Sequence, residues 1–222
     1  MADQTADEFI PAGIVNTPEE AAYELRADEN AIFIGSRLFI GIVTFAYASL
    51  AFAYFYLRSA NNSDLWRPNR ITAPTSIGAA IFAVVVASAL VNFYGTQRLK
   101  SGWTTDWLVA GWTAVGGGLL AIGLQIFEFT QLPFFPGSSA YASCFVGWGV
   151  LNTAMLVGST YWLETTIARA MRLRRALAED GGAARSGLPA GRLLRANIES
   201  SAYFWGYLAL MSTLFWVLFY IV

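Results

Sequence analysis

The chain has 222 residues, 56% of them hydrophobic and only 13% charged, with a formal net charge of −1 and a mean hydropathy of +0.48. A soluble domain carries roughly a quarter charged residues, so this is the composition of a membrane protein. There is no histidine and a single cysteine, Cys144, so the chain by itself supplies no bis-histidine haem site, no His-rich metal site, no disulfide framework and no CxxC pair.

Residues 1–30 are a polar, acidic N-terminal segment. They hold eight of the fifteen acids: Asp3, Asp7, Glu8, Glu19, Glu20, Glu24, Asp28 and Glu29. Apolar positions such as Phe9, Ile10, Ile14 and Val15 are scattered among them. Within the run Thr17 to Leu25, Pro18 followed by Glu19 and Glu20 predicts a short helix start. No basic-then-apolar signal segment precedes it, so targeting is expected to rest on the first membrane helix.

Residues 31–222 are expected to form a five-helix transmembrane domain. A bilayer core about 30 Å thick needs roughly 20 apolar residues in a helix. Five uncharged runs are long enough: Arg37 to Arg58, Arg70 to Arg98, Asp106 to Glu128, Glu128 to Glu164, and Glu199 to the end. The fourth is too long for one span. Pro133, Pro136 and Gly137 mark its early part as a loop, which leaves a helix over about 139–165. The stretch Arg169 to Arg175 predicts a continuation of that helix beyond the bilayer, its arginines near anionic headgroups. Gly181, Gly182 and the stretch Gly187 to Pro189 then break it. The expected fold class is all-α: a polytopic membrane protein of five spans.

Orientation follows the placement of Lys and Arg. The basic connection at about 167–199 holds Arg169, Arg172, Arg174, Arg175, Arg185, Arg192 and Arg195, and the second-to-third connection adds Arg98 and Lys100. The other side holds Arg58, Arg67 and Arg70. The N-terminus and the basic connection are therefore expected in the cytoplasm and the C-terminus outside.

Ionisable residues inside a span are functional candidates by default. Here these are Glu128, with Gln125 one turn before it, and Glu164. Glu128 reads as a polar contact to a neighbouring helix or a marker of the interface, and Glu164 as a partner for Arg169 or an adjacent helix. Arg37 and Arg58 bracket the first span and can snorkel to the two surfaces. Aromatic residues near span ends, Tyr54, Phe55, Tyr56, Trp103, Trp107, Trp162, Tyr203 and Trp205, read as interfacial belts. Small residues recur in the second span (Ala79, Ala83, Ala87), the third (Gly116, Gly117, Gly118) and the fourth (Ser143 with Gly147, Gly149 with Thr153). They predict close helix packing, within the chain or against another subunit. Cys144 reads as a small buried hydrophobe. These residues contain no catalytic triad, no carboxylate pair within a span and no phosphate loop.

Several segments, taken in order, resemble subunit III of the haem-copper oxidases, the cytochrome c oxidase type. They are Ala53 to Arg58 (Ala-Tyr-Phe-Tyr-Leu-Arg), Trp66-Arg67-Pro68, Gln125-Ile126-Phe127-Glu128-Phe129, Pro136 to Tyr141, and Tyr203-Phe204-Trp205. The five spans resemble the shorter form of the family. Departures are specific: the family's first-helix carboxylate falls on Val43, two of its histidines on Asn152 and Met155, and a final-helix histidine and acid on Gly206 and Ala209. The resemblance implies a non-catalytic scaffold in a bacterial-type plasma membrane. It would hold phospholipid in a cleft between helices and pack beside catalytic subunit I and other respiratory-complex subunits, without contact to nucleic acid. Haem and copper would then belong to the partner, and no cofactor to this chain. The rival readings are a related subunit associated with nitric oxide reductase, a stand-alone transporter coupled to protons through Glu128, and, more remotely, a membrane enzyme.

Overall fold

The computed structural model describes residues 18–60, 66–179 and 189–222. These form five helices: α1 (Pro18–Ser59), α2 (Thr75–Lys100), α3 (Thr104–Thr130), α4 (Ala140–Glu179) and α5 (Pro189–Trp216). A 3₁₀ turn (Pro68–Arg70) precedes α2, and a π-helical turn (Val217–Ile221) follows α5. All five helices are long and apolar enough to cross a membrane, as their uncharged runs predicted, and the described residues contain no strand.

Two helices outrun their spans. α1 has 42 residues, about 63 Å at 1.5 Å per residue, and passes residue 30 without a break. The short helix expected at Thr17 to Leu25 is thus the first part of α1 in the described region. The reason is local: between Glu19 and Ile34 there is no Gly or Pro, and Ala, Glu and Leu favour helix. α4 has 40 residues and carries Arg169 to Arg175 past its span to Glu179. The basic connection is therefore helical over most of its length rather than a loop. Gly181, Gly182, Arg185 and Gly187, like residues 1–17, lie outside the described residues.

α2 and α3 form a tight hairpin. After Lys100 the chain turns through Gly102 at φ +91°, a left-handed conformation that glycine adopts without a Cβ clash. The N–H groups of Gly102 and Trp103 bond back to the carbonyls of Leu99 and Arg98 at 2.9 and 3.0 Å, closing the last turn of α2. The glycine run of α3 serves two interfaces at once, because consecutive helical residues point about 100° apart. A Cβ on Gly117 would strike Ser88 of α2, and one on Gly118 would lie 2.5 Å from Thr160 Oγ1 of α4 and 2.8 Å from the Trp205 ring of α5. Such close backbone approach is how helices associate where hydrophobic burial is weak. The alanine stripe of α2 is not used this way: Ala83 and Ala87 are exposed, and the packed face runs through Gly78, Ile81, Val85, Ser88 and Asn92.

α1 lies along α4 and α5. It is clasped to α5 at one end, where Arg192 Nε and Nη2 donate to both Glu29 carboxylate oxygens at 2.7 and 2.6 Å. Lys100 and Arg195 both pair with Glu199 (3.4 and 3.2 Å), and Arg98 pairs with Asp106 at 2.8 Å. This is the basic end of the bundle. At the distal end Arg58 donates to the Tyr54 hydroxyl (2.8 Å) and to the Val222 carbonyl (3.1 Å), joining the ends of α1 and α5. A cluster of aromatic side chains fills the distal core, with Tyr47, Tyr54, Tyr141, Phe145, Trp148 and Phe219 all fully buried.

The belt expectation therefore divides. Phe55, Tyr56, Trp103 and Tyr203 are exposed, whereas Tyr54, Trp107 and Trp205 point into the core. Depth along a span does not reveal which face a residue occupies.

Candidate functional site around Glu128

Glu128 sits in the last turn of α3 and Gln125 one turn earlier, on the same face because residues three apart are helix neighbours. Both have 0% exposure, so Glu128 is a core residue and not an interface marker. Gln125 Nε2 donates to Glu128 Oε2 at 2.7 Å, and the Tyr220 hydroxyl donates to Glu128 Oε1. Tyr220 reaches the carboxyl from the π-helical turn that follows α5. Single π turns often mark functional positions in helices. Gly78 of α2 makes room for it, since a Cβ there would overlap the Tyr220 ring. On the other flank, Phe129 lies against Gly149 of α4. Both carboxyl oxygens are thus hydrogen-bonded, and among the described residues Glu128 makes no ion pair. A carboxyl in this setting holds helices together through neutral partners.

A second polar cluster lies deeper. Asn152 of α4 is 1% exposed, and its Oδ1 accepts from Tyr47 of α1 at 3.2 Å and from Ser212 of α5 at 3.3 Å. Nearby, Thr44 and Tyr207 share a hydrogen bond of 3.0 Å between α1 and α5. The Asn152 amide thus joins three helices. Val43 is buried in the same region, and Met155 is half-buried.

The other predicted residues separate from Glu128. Arg58 ties α1 to the end of α5, as above. Trp66 is buried and meets Tyr54 and Tyr141 edge-on, with ring centroids at 5.0 and 5.9 Å. Glu164 is exposed, and among the described residues neither Arg169 nor another basic group pairs with it. Its position on α4 turns it away from the neighbouring helices, so the expected pairing is not formed. Among the described residues no group of three or more His, Cys, Asp or Glu side chains is placed to hold a metal ion. The sequence reading missed Tyr220, Tyr47, Asn152 and Ser212. The available signal was weak: polar groups inside apolar runs, whose partners lie 60 to 105 residues away.

Two grooves flank the same stretch of α1. One, of about 530 Å³, is lined by apolar groups including Ile32, Phe39, Met155, Trp162 and Phe204. The other, of about 580 Å³, runs between α1, α2 and α5 past Ile40, Phe93, Tyr207 and Leu210 and carries Arg37, Lys100 and the Lys100 partner Glu199 on its wall. Apolar walls with cationic groups suit an amphiphile that has an acyl tail and an anionic head. No protein-family model matches the chain.

Proposed function

We propose that this chain is a divergent subunit III of a respiratory terminal oxidase, a lipid-binding, non-catalytic scaffold for a haem- and copper-bearing catalytic subunit. What carries the reading is that segments resembling the family, far apart in sequence, meet at one place. Tyr54 from the Ala53 to Arg58 segment packs edge-on against Trp66 of Trp66-Arg67-Pro68. Trp66 in turn packs against Tyr141 of the Pro136 to Tyr141 segment, with Glu128 at the same distal end. Those residues make an aromatic and hydrogen-bonded clamp, not a reaction centre. The chain's work in the complex is to hold α1 against α4 and α5 and to present its outward faces and grooves to lipid and to the catalytic subunit. Electron transfer to oxygen and the coupled proton translocation belong to that partner.

In this reading the basic end faces the cytoplasm of a bacterial-type cell and the distal end faces outward, following the bias of Lys and Arg. The second groove takes a phospholipid whose phosphate meets Arg37 and Lys100. A subunit associated with nitric oxide reductase would look the same from this side, because the difference lies in the partner. The transporter reading rests on one observation, the full burial of Glu128. Reconstitution of the isolated chain into liposomes separates the readings. The scaffold reading expects no proton-coupled flux, and a flux abolished by Glu128→Gln would overturn it in favour of transport.

A further inference from the structure

The Glu128 and Asn152 clusters are separated by a small cavity of about 10 Å³, lined by Gly78, Gln125, Asn152, Ser212, Trp216 and Tyr220 among others. Three of these lining side chains carry a buried polar atom without a hydrogen-bond partner: Gln125 Oε1, Asn152 Nδ2 and Trp216 Nε1. Gln125 and Asn152 are 0% and 1% exposed, so neither atom can turn to bulk solvent. A polar cavity holds a water when it has room for about one probe sphere and offers two to four partners. This one has that room and offers two donors, one free acceptor and the Ser212 hydroxyl oxygen.

We propose that this cavity is a binding site for one ordered water molecule. The water accepts hydrogen bonds from Asn152 Nδ2 and Trp216 Nε1 and donates one to Gln125 Oε1. Its remaining hydrogen is directed to Ser212 Oγ. The chemistry selects water over other small ligands. The volume admits one non-hydrogen atom, and an ion would lack a countercharge, because no ionised group lines the cavity. With the water in place the two clusters become one hydrogen-bonded chain: Tyr220, Glu128, Gln125, water, Asn152, Tyr47. It links α5, α3, α4 and α1 across the core, so the water is a structural member of the bundle rather than a filler. Gly78 serves both parts, because the Tyr220 ring it accommodates closes one wall of the cavity. The inference does not depend on the oxidase reading.

Radiolytic hydroxyl-radical labelling of the full chain in detergent or nanodiscs tests this, because bound waters generate radicals beside the side chains they touch. Phe215 lines the cavity, whereas Phe145, of the same type and in the same aromatic cluster, does not. The site predicts that Phe215 is labelled several-fold faster than Phe145, and that in H₂¹⁸O the added oxygen is ¹⁸O. Asn152→Leu, which puts an apolar group at the site, should remove the excess at Phe215. If that variant does not fold, Ser212→Val serves the same purpose. Equal labelling of Phe215 and Phe145 in the wild type overturns the proposal. So does excess labelling that persists in a folded variant, since the radicals would then come from bulk water.

Discussion

Tyr220 and Glu128, 92 residues apart in sequence, are joined by a hydrogen bond in which the tyrosine hydroxyl donates to Oε1 of the carboxyl. Gln125 occupies the other oxygen, so losing either donor leaves a buried acceptor unpaired. Removing one partner of a buried hydrogen bond costs about 1–3 kcal/mol. Tyr220→Phe should therefore lower the thermal midpoint of the purified chain in a mild detergent. Glu128→Leu should lower it further, because it strands two donors. A double-mutant cycle should give a positive coupling between the two positions, and additive effects would show that the bond contributes nothing.

Gly78 is the sequence feature that admits the tyrosine. Gly78→Ala places a methyl group inside the ring position, and overpacking of this kind costs about 1–3 kcal/mol. The cost should largely vanish in a Tyr220→Leu background, where the ring is gone. Thermal unfolding of the four proteins checks this. An equal penalty in both backgrounds would place the effect of Gly78 in the α2 backbone instead.

The clasp of Arg192 on Glu29 holds the start of α1 to the start of α5. Both side chains are partly exposed, at 40% and 21%, so solvent screening limits the pair to about 0.5–1 kcal/mol of stability. Its removal should appear locally. Arg192→Ala should speed amide hydrogen exchange over residues 19–32 and leave the rest of α1 unchanged. The reversed pair, Glu29→Arg with Arg192→Glu, should restore much of the protection.

In the groove beside α1, Arg37 and Lys100 are the groups that would meet a lipid phosphate. A basic side chain near an anionic headgroup contributes about 1 kcal/mol, so each of Arg37→Gln and Lys100→Gln should weaken retention of anionic phospholipid about fivefold. Native mass spectrometry of the chain extracted in mild detergent reads this directly. Zwitterionic lipid should be affected less.

The spans and their number were legible because they depend on run length and hydropathy, which are local. Facing was not. For Glu128 near a helix end the sequence left two readings open, a polar contact to a neighbouring helix and an interface marker, and depth alone did not choose between them; the bond from Tyr220 is the first. Phe129, Tyr141 and Tyr220 come from three separate helical segments to close over that end of the core, and only tertiary structure brings them there. The same limit misplaced Trp107 and Trp205 in a belt, and it left open whether Ala83 and Ala87 pack within the chain, where they prove exposed. The continuity of α1 through residue 30 was readable from its helix-forming residues, although the polar composition there suggested only a short helix start. For Glu164 the expected pairing with Arg169 or an adjacent helix is not formed, because a carboxylate at a span end is tolerated whether it pairs or faces water.

The central claim, that this chain is a scaffold beside a haem-bearing oxidase subunit, is tested most directly by one purification. A tagged chain is isolated from its native membranes in a gentle detergent, its visible absorption spectrum is recorded, and the proteins that come with it are identified by mass. The account predicts haem bands together with a large multi-span catalytic subunit in stoichiometric amount, with the haem type indicating which oxidase it is. A colourless preparation containing this chain alone would contradict the account and make Glu128 the first residue to test for transport.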